Sequence, residues 1–257
     1  MVDYEVQGHV ALITLNRPDA RNAVNGQVAT EMEAAVDAME ADDNVWVGIL
    51  RAVTVGDRPV FCAGADLKEI NAGNGGALST ERGGFGGFVY RERRKPVIAA
   101  VDGLATAGGC ELTLACDLVV ATHRSSFGLA EVKRNLIAGA GGLFRLPQAI
   151  GRAAAMEIIL TGEPLPAARA HALGLVNRLV DDGTAVEAAL AFAAQITAAA
   201  PMAVWASRAV VLAAQYEDEA TLRKLSNKAM ATVMASEDIK EGLTAFIEKR
   251  PPVWKGR

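Results

Sequence analysis

Hydrophobic and polar positions change period along this chain, and the change predicts two regions of different architecture. Up to about residue 135, apolar runs typical of strands alternate with segments whose apolar residues recur at helical spacing. Val10 to Asn16 and Val45 to Val53 are predicted strands, and Gln27 to Met39 between them is a predicted helix. This alternation predicts an α/β core with largely parallel pairing and right-handed crossovers. After residue 140 the segments are mostly helical, which predicts a helical C-terminal appendage.

Glycine, proline and capping residues predict the connections between these elements. Val60 to Ala63 is a short predicted strand, and Asp66 is placed to cap a helix that starts with the following Leu-Lys-Glu-Ile. Asn71 to Gly87 is so rich in glycine that it predicts a mobile loop. Lys95-Pro96 is expected to end a helical stretch, and Gly108-Gly109 to open another helix.

Composition and charge exclude several classes of function. The chain has 257 residues, 51% of them hydrophobic, which is enough for one large domain with an appendage. Its net charge is −4, and the basic cluster within residues 91–95 is expected to be a solvated helix end, so nucleic acid is not an expected partner. The most apolar long window, residues 97–121, contains three acidic residues, which argues against a membrane span. The Ala-, Val- and Met-rich C-terminal helices favour a homo-oligomer over intramolecular packing alone.

Cysteine and histidine usage indicates neither disulfides nor metal. The cysteines are odd in number, lack CxxC spacing and stand in apolar contexts, which fits a reducing cytoplasm (Cys62, Cys110 and Cys116). The N-terminus lacks the basic region and apolar run of a signal peptide, so a cytoplasmic location is expected. No histidine stands beside a second ligand at metal-binding spacing, so no metal site is expected (His9, His123 and His171).

Two glutamates, Glu111 in AGGCELTLACD and Glu131 in FGLAEVKRNLIAGAGG, interrupt stretches of small and apolar residues. A solitary carboxylate in such surroundings is costly to bury without a partner or a chemical role. Two of them indicate paired acid/base chemistry, although ordinary charges on helix surfaces would explain either segment alone. If both face one site, their titrations should be coupled and at least one pKa raised. Because Glu111 follows Gly108-Gly109 at a predicted helix start, whose dipole favours an anion, we expect it to be the carboxylate of the pair.

Two turns made of small residues could supply backbone donors. Cys62-Ala63-Gly64-Ala65-Asp66 and Leu104-Ala105-Thr106-Ala107-Gly108-Gly109 each follow a predicted strand and precede a predicted helix. Small side chains there allow N–H groups to point unobstructed at a ligand oxygen, as in an oxyanion hole. Tight helix packing would require small residues equally, and composition does not decide between the two.

Several segments of the chain resemble one known family. They are NRPDARNAV (16–24), FCAGADLKEI (61–70), KPVIAAVDGLATAGGCELTLACD (95–117), FGLAEVKRNLIAGAGG (127–142), LTGEPLPAARAHALGLVNRLV (160–180) and EGLTAFIEKRPP (241–252). In order and over nearly the whole chain, they are similar to the enoyl-CoA hydratase, or crotonase, family. The resemblance implies an α/β spiral core of repeated ββα units at residues 1–195 and a helical trimerisation region at residues 196–257. It also implies a homotrimer or a dimer of trimers.

The same resemblance implies a substrate and roles for the site residues. The substrate would be an acyl-CoA thioester whose carbonyl oxygen lies between the backbone N–H groups of Ala65 and Gly108. Glu131 would be the main acid/base at C2, and Glu111 would activate the water that attacks C3. No metal or redox cofactor is needed for this chemistry, since coenzyme A is part of the substrate.

Coenzyme A carries phosphates, which a chain of net charge −4 must meet with local positive charge. Lys68 is the strongest candidate because it lies three residues after Ala65. Ordinary solvated charge would explain each of the other basic candidates as well. The expected set of substrate- and CoA-binding residues is Ala65, Asp66, Leu67, Lys68, Gly108, Arg21 and Lys249.

Hydration of trans-2-enoyl-CoA to 3-hydroxyacyl-CoA is the predicted function, because isomerases of this family often need only one of the two acids. The alternatives on the same scaffold are an enoyl-CoA isomerase, a carnitinyl-CoA-type dehydratase and thioester hydrolysis. A protein that only binds acyl-CoA is an alternative of another class. Two departures bear on the substrate: Leu129-Ala130 replaces a usual Gln-Pro, and Ala138 replaces a usual Pro. The two departures predict a looser scaffold there. The glycine-rich segment Asn71 to Gly87 is expected to frame the acyl pocket, which leaves the acyl group open.

Overall fold

The computed structural model describes residues 1–257 as two packed sheets, a hairpin and ten α-helices. The strands are β1 (Val2–Gln7), β2 (Val10–Leu15), β3 (Val47–Ala52), β4 (Val60–Cys62), β5 (Ser79–Thr80), β6 (Gly84–Phe85), β7 (Val97–Val101), β8 (Leu104–Thr106), β9 (Leu118–Thr122), β10 (Ser126–Gly128), β11 (Leu165–Pro166) and β12 (Arg178–Val180). The helices are α1 (Gly26–Ala41), α2 (Leu67–Asn71), α3 (Gly108–Leu114), α4 (Gly142–Ile150), α5 (Arg152–Thr161), α6 (Ala167–Ala172), α7 (Ala185–Thr197), α8 (Pro201–Ala213), α9 (Glu219–Met234) and α10 (Asp238–Glu248).

The larger sheet has six strands in the order β1-β2-β3-β7-β9-β12, parallel except for the β1–β2 pair. Every residue of β2 is buried because both faces of the sheet are covered. The main apolar cluster fills one face, and α7 lays Ala185, Ala189 and Ala193 on the other. The smaller sheet runs β11-β10-β8-β4, with parallel pairing between β4, β8 and β10. The predicted α/β core with mainly parallel strands is confirmed.

Helix α1 begins where its sequence provides a cap. The side chain of Asn25 accepts a hydrogen bond from Val28 N at 2.9 Å, which satisfies one of the free N–H groups at the helix start. One face of α1 then buries Val28, Met32, Val36 and others at helical spacing. The predicted helix Gln27 to Met39 is therefore confirmed within two residues at each end.

Two expectations for residues 71–95 are wrong. The glycine-rich segment Asn71 to Gly87 contains the β5–β6 hairpin instead of being a loop throughout, and the glycines of the hairpin permit close packing. A Cβ on Gly87 would lie 2.0 Å from the Ala29 carbonyl oxygen of α1. The residues before Lys95-Pro96 form turns instead of a helix, and Lys95 is fully buried. Its Nζ donates to the carbonyl oxygens of Met39 and Asp42 at 2.7 and 2.6 Å, so this basic cluster is not a solvated helix end.

The C-terminal region is helical, as predicted. The boundary expected between residues 195 and 196 falls inside α7, which packs on the larger sheet, so the helices outside the core begin with α8. Trp205 of α8 joins them to the core by donating from Nε1 to the Trp46 carbonyl oxygen at 3.0 Å. No single helix is long and apolar enough to cross a bilayer. Helices α7 and α8 have sufficient length and apolarity only when taken together, and the angle between them is 104°. Large apolar side chains are exposed on α8 to α10, among them Val211, Met230, Leu243, Phe246 and Ile247.

Candidate active site

The two small-residue turns predicted from the sequence meet in the fold. A Cβ on Gly64 would lie 2.9 Å from the backbone nitrogen of Gly108, so glycine is required for this approach. Val24 fixes the first turn: its N–H donates to the Gly64 carbonyl, and its carbonyl accepts from Asp66 N, both at 2.8 Å. The N–H groups of Ala65 and Gly108 donate to no protein acceptor, and Gly108 is the first residue of α3. Two adjacent turns therefore present two free backbone donors.

The second turn holds a strained backbone. Ala107, between β8 and α3, has φ +51° and ψ −128°, a combination that residues other than glycine rarely adopt. Such a conformation costs on the order of 1–3 kcal/mol and is found mainly where a site requires it. Its N–H donates to the Gly128 carbonyl at 2.8 Å, which ties the turn to β10. The strain fixes the direction in which the next residue, Gly108, presents its N–H.

Glycines at the start of α3 allow close contacts on both sides. A Cβ on Gly108 would lie 2.3 Å from the ring of Phe85 in β6, and one on Gly109 would lie 2.1 Å from the Cys62 carbonyl oxygen. The hairpin predicted as a mobile loop thus places an aromatic ring beside the free N–H of Gly108. Phe85 is partly buried, and no local pattern in the sequence indicates its position.

Glu111 lies one turn into α3 and is 3% exposed. Its Oε1 accepts a hydrogen bond from Gly142 N, the first residue of α4, at 2.9 Å. Burial raises the pKa of Glu111 to about 7, against the lowering effect of that hydrogen bond. Desolvation therefore counteracts the effect expected from the helix start, which belongs to a helix only seven residues long, and a pKa of about 7 leaves Glu111 available in both its ionised and its protonated form at neutral pH.

Glu131 begins a short 3₁₀ helix, Glu131–Arg134, which ends at Asn135 in the left-handed conformation. Its Oε2 is buried and has no hydrogen-bond partner in the protein. Burial raises the pKa of this carboxyl as well. The negative charge of Glu131 also raises the pKa of Glu111, so the fold brings the two acids into one electrostatic neighbourhood.

The residues expected to contact CoA divide into engaged and free side chains. Asp66 is buried, caps α2 by accepting from Lys68 N at 3.0 Å, and pairs with Arg17 at 2.7 Å. Its carboxylate is therefore occupied, and Arg17 was not foreseen because the pairing spans 49 positions. Leu67, Lys68 and Arg21 are exposed around the same turn. Lys249 follows α10, and no hydrogen bond or ion pair joins it to the turn at Ala65.

Other side chains offer little chemistry beside the acids. No group of three His, Cys, Asp or Glu residues is arranged to hold a metal ion. Burial raises the pKa of the Cys62 and Cys116 thiols to about 12 and that of Cys110 further, so none is a reactive thiolate at neutral pH. A groove of about 1180 Å³ between α3, α4 and α8 is lined by neither Glu111 nor Glu131.

Comparison with known proteins gives a consistent result over the whole chain. Residues 5–257 match the family described as enoyl-CoA hydratase/isomerase. A probable enoyl-CoA hydratase of Rhizobium meliloti (strain 1021) is 40% identical, with 98% of this chain and 97% of that protein covered. A crystal structure of enoyl-CoA hydratase from Mycobacterium tuberculosis H37Rv has a TM-score of 0.94 at 46% identity, covering 100% and 99% of the two chains. A crystal structure of carnitinyl-CoA hydratase from Mycobacterium avium has a TM-score of 0.78 at 48% identity, covering 100% of this chain and 98% of that chain.

Proposed function

The chain belongs to the enoyl-CoA hydratase/isomerase family of enzymes, and from this premise we propose that it adds water across the 2,3 double bond of trans-2-enoyl-CoA. The observation that carries this proposal is the carboxyl pair, in which Glu111 and Glu131 both have a raised pKa. Two acids that share one proton near neutral pH can take a proton from water and give one to carbon in the same site.

The thioester end of the substrate is assigned to the two free backbone donors. Its carbonyl oxygen accepts from the N–H groups of Ala65 and Gly108, which stabilise the negative charge that develops as C3 is attacked. Because both donors belong to closely packed turns, they need little rearrangement during the reaction. Removing one donor of this kind typically costs about 10²–10³ in rate.

The proton steps are assigned to the acids. Glu111, ionised, accepts a proton from water as the oxygen bonds to C3, and Glu131 gives its proton to C2 of the enolate-like species. Water has then been added across the double bond. Exchange with solvent then removes the proton from Glu111 and returns one to Glu131, which restores the starting state. The partnerless Oε2 of Glu131 supports this role, since it leaves one carboxyl oxygen free for the reacting atoms.

Coenzyme A is assigned to the exposed side of the first turn. Lys68 and Leu67 are exposed there and are the first candidates, whereas Arg21 and Lys249 are second-rank candidates. The backbone of Asp66 is included, although its carboxylate is occupied by Arg17. No metal or redox cofactor takes part in the proposed reaction.

A trimer, or a dimer of trimers, is proposed for the assembly. The exposed apolar side chains of α8 to α10 support it, since Phe246 is 85% and Ile247 78% exposed in the single chain. Sedimentation equilibrium should give three or six times the chain mass of 26.9 kDa. A monomer at micromolar concentration would contradict this part of the proposal.

The test of the activity is hydration of a panel of trans-2-enoyl-CoA thioesters, followed by loss of the conjugated-enoyl absorbance. Wild type should be active, whereas Glu111→Gln and Glu131→Gln should each lose about 10²–10⁴ in kcat. Glu217→Gln, at an exposed glutamate of the α8–α9 connection, is the matched control and should keep wild-type activity. Full activity in both active-site variants would contradict the mechanism.

The similarity to a carnitinyl-CoA hydratase structure favours a second candidate, dehydration of a carnitinyl-type β-hydroxyacyl-CoA. The panel therefore includes carnitinyl-CoA and 3-enoyl-CoA thioesters. Turnover of carnitinyl-CoA alone would select that dehydratase, and turnover of 3-enoyl-CoA alone would select an isomerase.

A further inference from the structure

The loop from Ala138 to Gly142 supplies the hydrogen bond that Glu111 receives. Gly142 N donates to Oε1 at 2.9 Å, and the backbone of Ala140 also lowers the pKa of this carboxyl. Since Glu111 is 3% exposed, bulk water cannot replace these donors. The position of the loop therefore decides where the carboxylate points.

Two side chains from outside the loop hold its carbonyl groups. The Tyr90 hydroxyl donates to the Gly139 carbonyl at 3.0 Å, and Arg145 Nη1 donates to the Ala140 carbonyl at 3.3 Å. The other arm of the same guanidinium, Nη2, donates to the Val89 carbonyl at 2.6 Å. Arg145 thus joins the loop to the segment that carries Tyr90, in place of the rigidity that a proline at position 138 would give.

The loop has a glycine where this guanidinium passes. A Cβ on Gly141 would lie 2.2 Å from Nη1 of Arg145. The guanidinium also lies over the rings of Tyr90 and Phe144, at 5.5 and 5.3 Å from their centroids. Such stacking limits its motion and leaves its donors directed along the ring plane toward the backbone.

No carboxylate forms an ion pair with Arg145, although the guanidinium is partly buried. Its charge lowers the pKa of Glu111 and so opposes the effects of burial and of Glu131. The other groups that face these charges are Cys110 beside the two acids, and Cys116, Tyr90 and Tyr216 around the arginine. Burial keeps both of these thiols neutral, so neither adds a charge beside Glu111, whereas Arg145 does.

We propose that Arg145, assisted by Tyr90, is a positioning residue for Glu111: it fixes the 138–142 loop, orients the carboxyl toward the reacting water and, by its charge, favours the ionised form of that carboxyl. The proposal rests on the proposed hydration and adds a residue that acts through Glu111 without touching the substrate. A purely structural role, as a tether between the residue 89–90 segment and α4, is the competing explanation.

A second arginine of the same groove separates the two explanations. Arg208 of α8 is also largely buried and pairs with Asp117 at 2.7 Å, but it makes no contact with the loop. Arg145→Met and Arg208→Met each remove a buried guanidinium, and only the first removes one that acts on Glu111. Arg145→Lys keeps the charge and loses the two-armed geometry.

The experiment measures kcat against pH and, separately, the titration of Glu111 by carbon NMR of labelled glutamate carboxyls, assigned with Glu111→Gln. Arg145→Met should raise the pKa of Glu111, because it removes a positive charge that acts on this carboxyl, and lower kcat by about 10- to 100-fold, as a displaced catalytic group does. Arg145→Lys should restore the wild-type titration and only part of kcat. Tyr90→Phe should lower kcat several-fold, as loss of one loop contact would, without moving the titration.

An unchanged Glu111 titration in Arg145→Met, or an equal shift in Arg208→Met, would overturn the proposal in favour of a structural tether. If Arg145→Met does not fold, wild-type kcat in Arg145→Lys would overturn it instead. The NMR titration does not depend on turnover. Failure of the proposed function, seen as no hydration by wild type, is therefore distinguishable from failure of the positioning role.

Discussion

The two segments that carry the glutamates are held in opposite ways. Between Gly108 and Thr113 every residue of α3 is buried, and Glu111 receives a backbone hydrogen bond. In the segment from Glu131 to Ile137 no residue is buried, and Ile137 is 71% exposed. The first segment therefore fixes a carboxyl by packing, whereas the second places a carboxyl oxygen without a partner beside a loosely packed stretch. This difference assigns the fixed geometry of the site to α3 and its open side to residues 131–137.

The largest difference between the segments should appear when a methyl group is added to each. In Gly109→Ala the new Cβ would meet the Cys62 carbonyl oxygen at 2.1 Å, and neither backbone can yield without disturbing the two turns that meet at Gly64 and Gly108. We expect a loss of about 4 kcal/mol in the free energy of unfolding, measured by urea denaturation. Gly139→Ala, at an exposed position two residues after the open segment, is the control: its nearest atom is 3.9 Å away, and it should stay within about 0.5 kcal/mol of wild type. Equal losses would remove the contrast.

The buried carboxyl of α3 should make stability depend on pH. The pKa of Glu111 is raised from 4.5 to about 7, so between these values the folded protein holds a proton that the unfolded chain has released. Stability should therefore fall as pH rises through this window, and the penalty should be complete above pH 7. Relative to wild type, Glu111→Gln should gain about 3 kcal/mol in the free energy of unfolding between pH 4 and pH 8.

Denaturation of both proteins at several pH values measures this gain. Glu131→Gln should show a change of the same sign, because burial raises the pKa of Glu131 too. A stability difference between Glu111→Gln and wild type that is the same at pH 4 and pH 8 would show that Glu111 titrates as in the unfolded chain.

The smallest effect concerns backbone strain. Ala107→Gly should relieve the positive φ before α3 and raise the free energy of unfolding by about 1 kcal/mol, after the entropic cost of glycine is subtracted. Asn135→Gly, at the left-handed residue that ends the 3₁₀ helix, should change it by only a few tenths of that, since asparagine tolerates this conformation. Thermal unfolding of the two variants makes the comparison. A larger gain at residue 135 would place the strain in the open segment instead.

The sequence predicts the parts of this molecule that depend on local patterns. The strand at Val10, helix α1 and the cap at Asp66 follow from periodicity and side-chain chemistry within a few residues of each element. The two small-residue turns were also identified, because glycine and alanine after a strand mark close approach. Their partnership with the two glutamates required the family resemblance.

The misplaced features depend on contacts between distant parts of the chain. Lys95 is buried because two carbonyl oxygens more than fifty positions away accept hydrogen bonds from its Nζ. No local sequence pattern indicates such acceptors. The hairpin at Phe85 is ordered by packing on α1 and α3. The size of the pKa rise at Glu111 could not be predicted for a similar reason: the helix start is visible in the sequence, but the depth of burial is not.

The central claim, that the two glutamates move the protons of hydration, is tested most directly by isotope incorporation. Trans-2-enoyl-CoA is converted in deuterium oxide and, separately, in ¹⁸O-water, and the product is analysed by mass spectrometry. Wild type should form 3-hydroxyacyl-CoA with one solvent deuterium on C2 and one solvent oxygen on C3. In Glu111→Gln and in Glu131→Gln, the rates at which deuterium and oxygen enter the product should both be greatly reduced, and to a closely similar extent. A product without solvent oxygen, or wild-type labelling rates in either variant, would contradict the account.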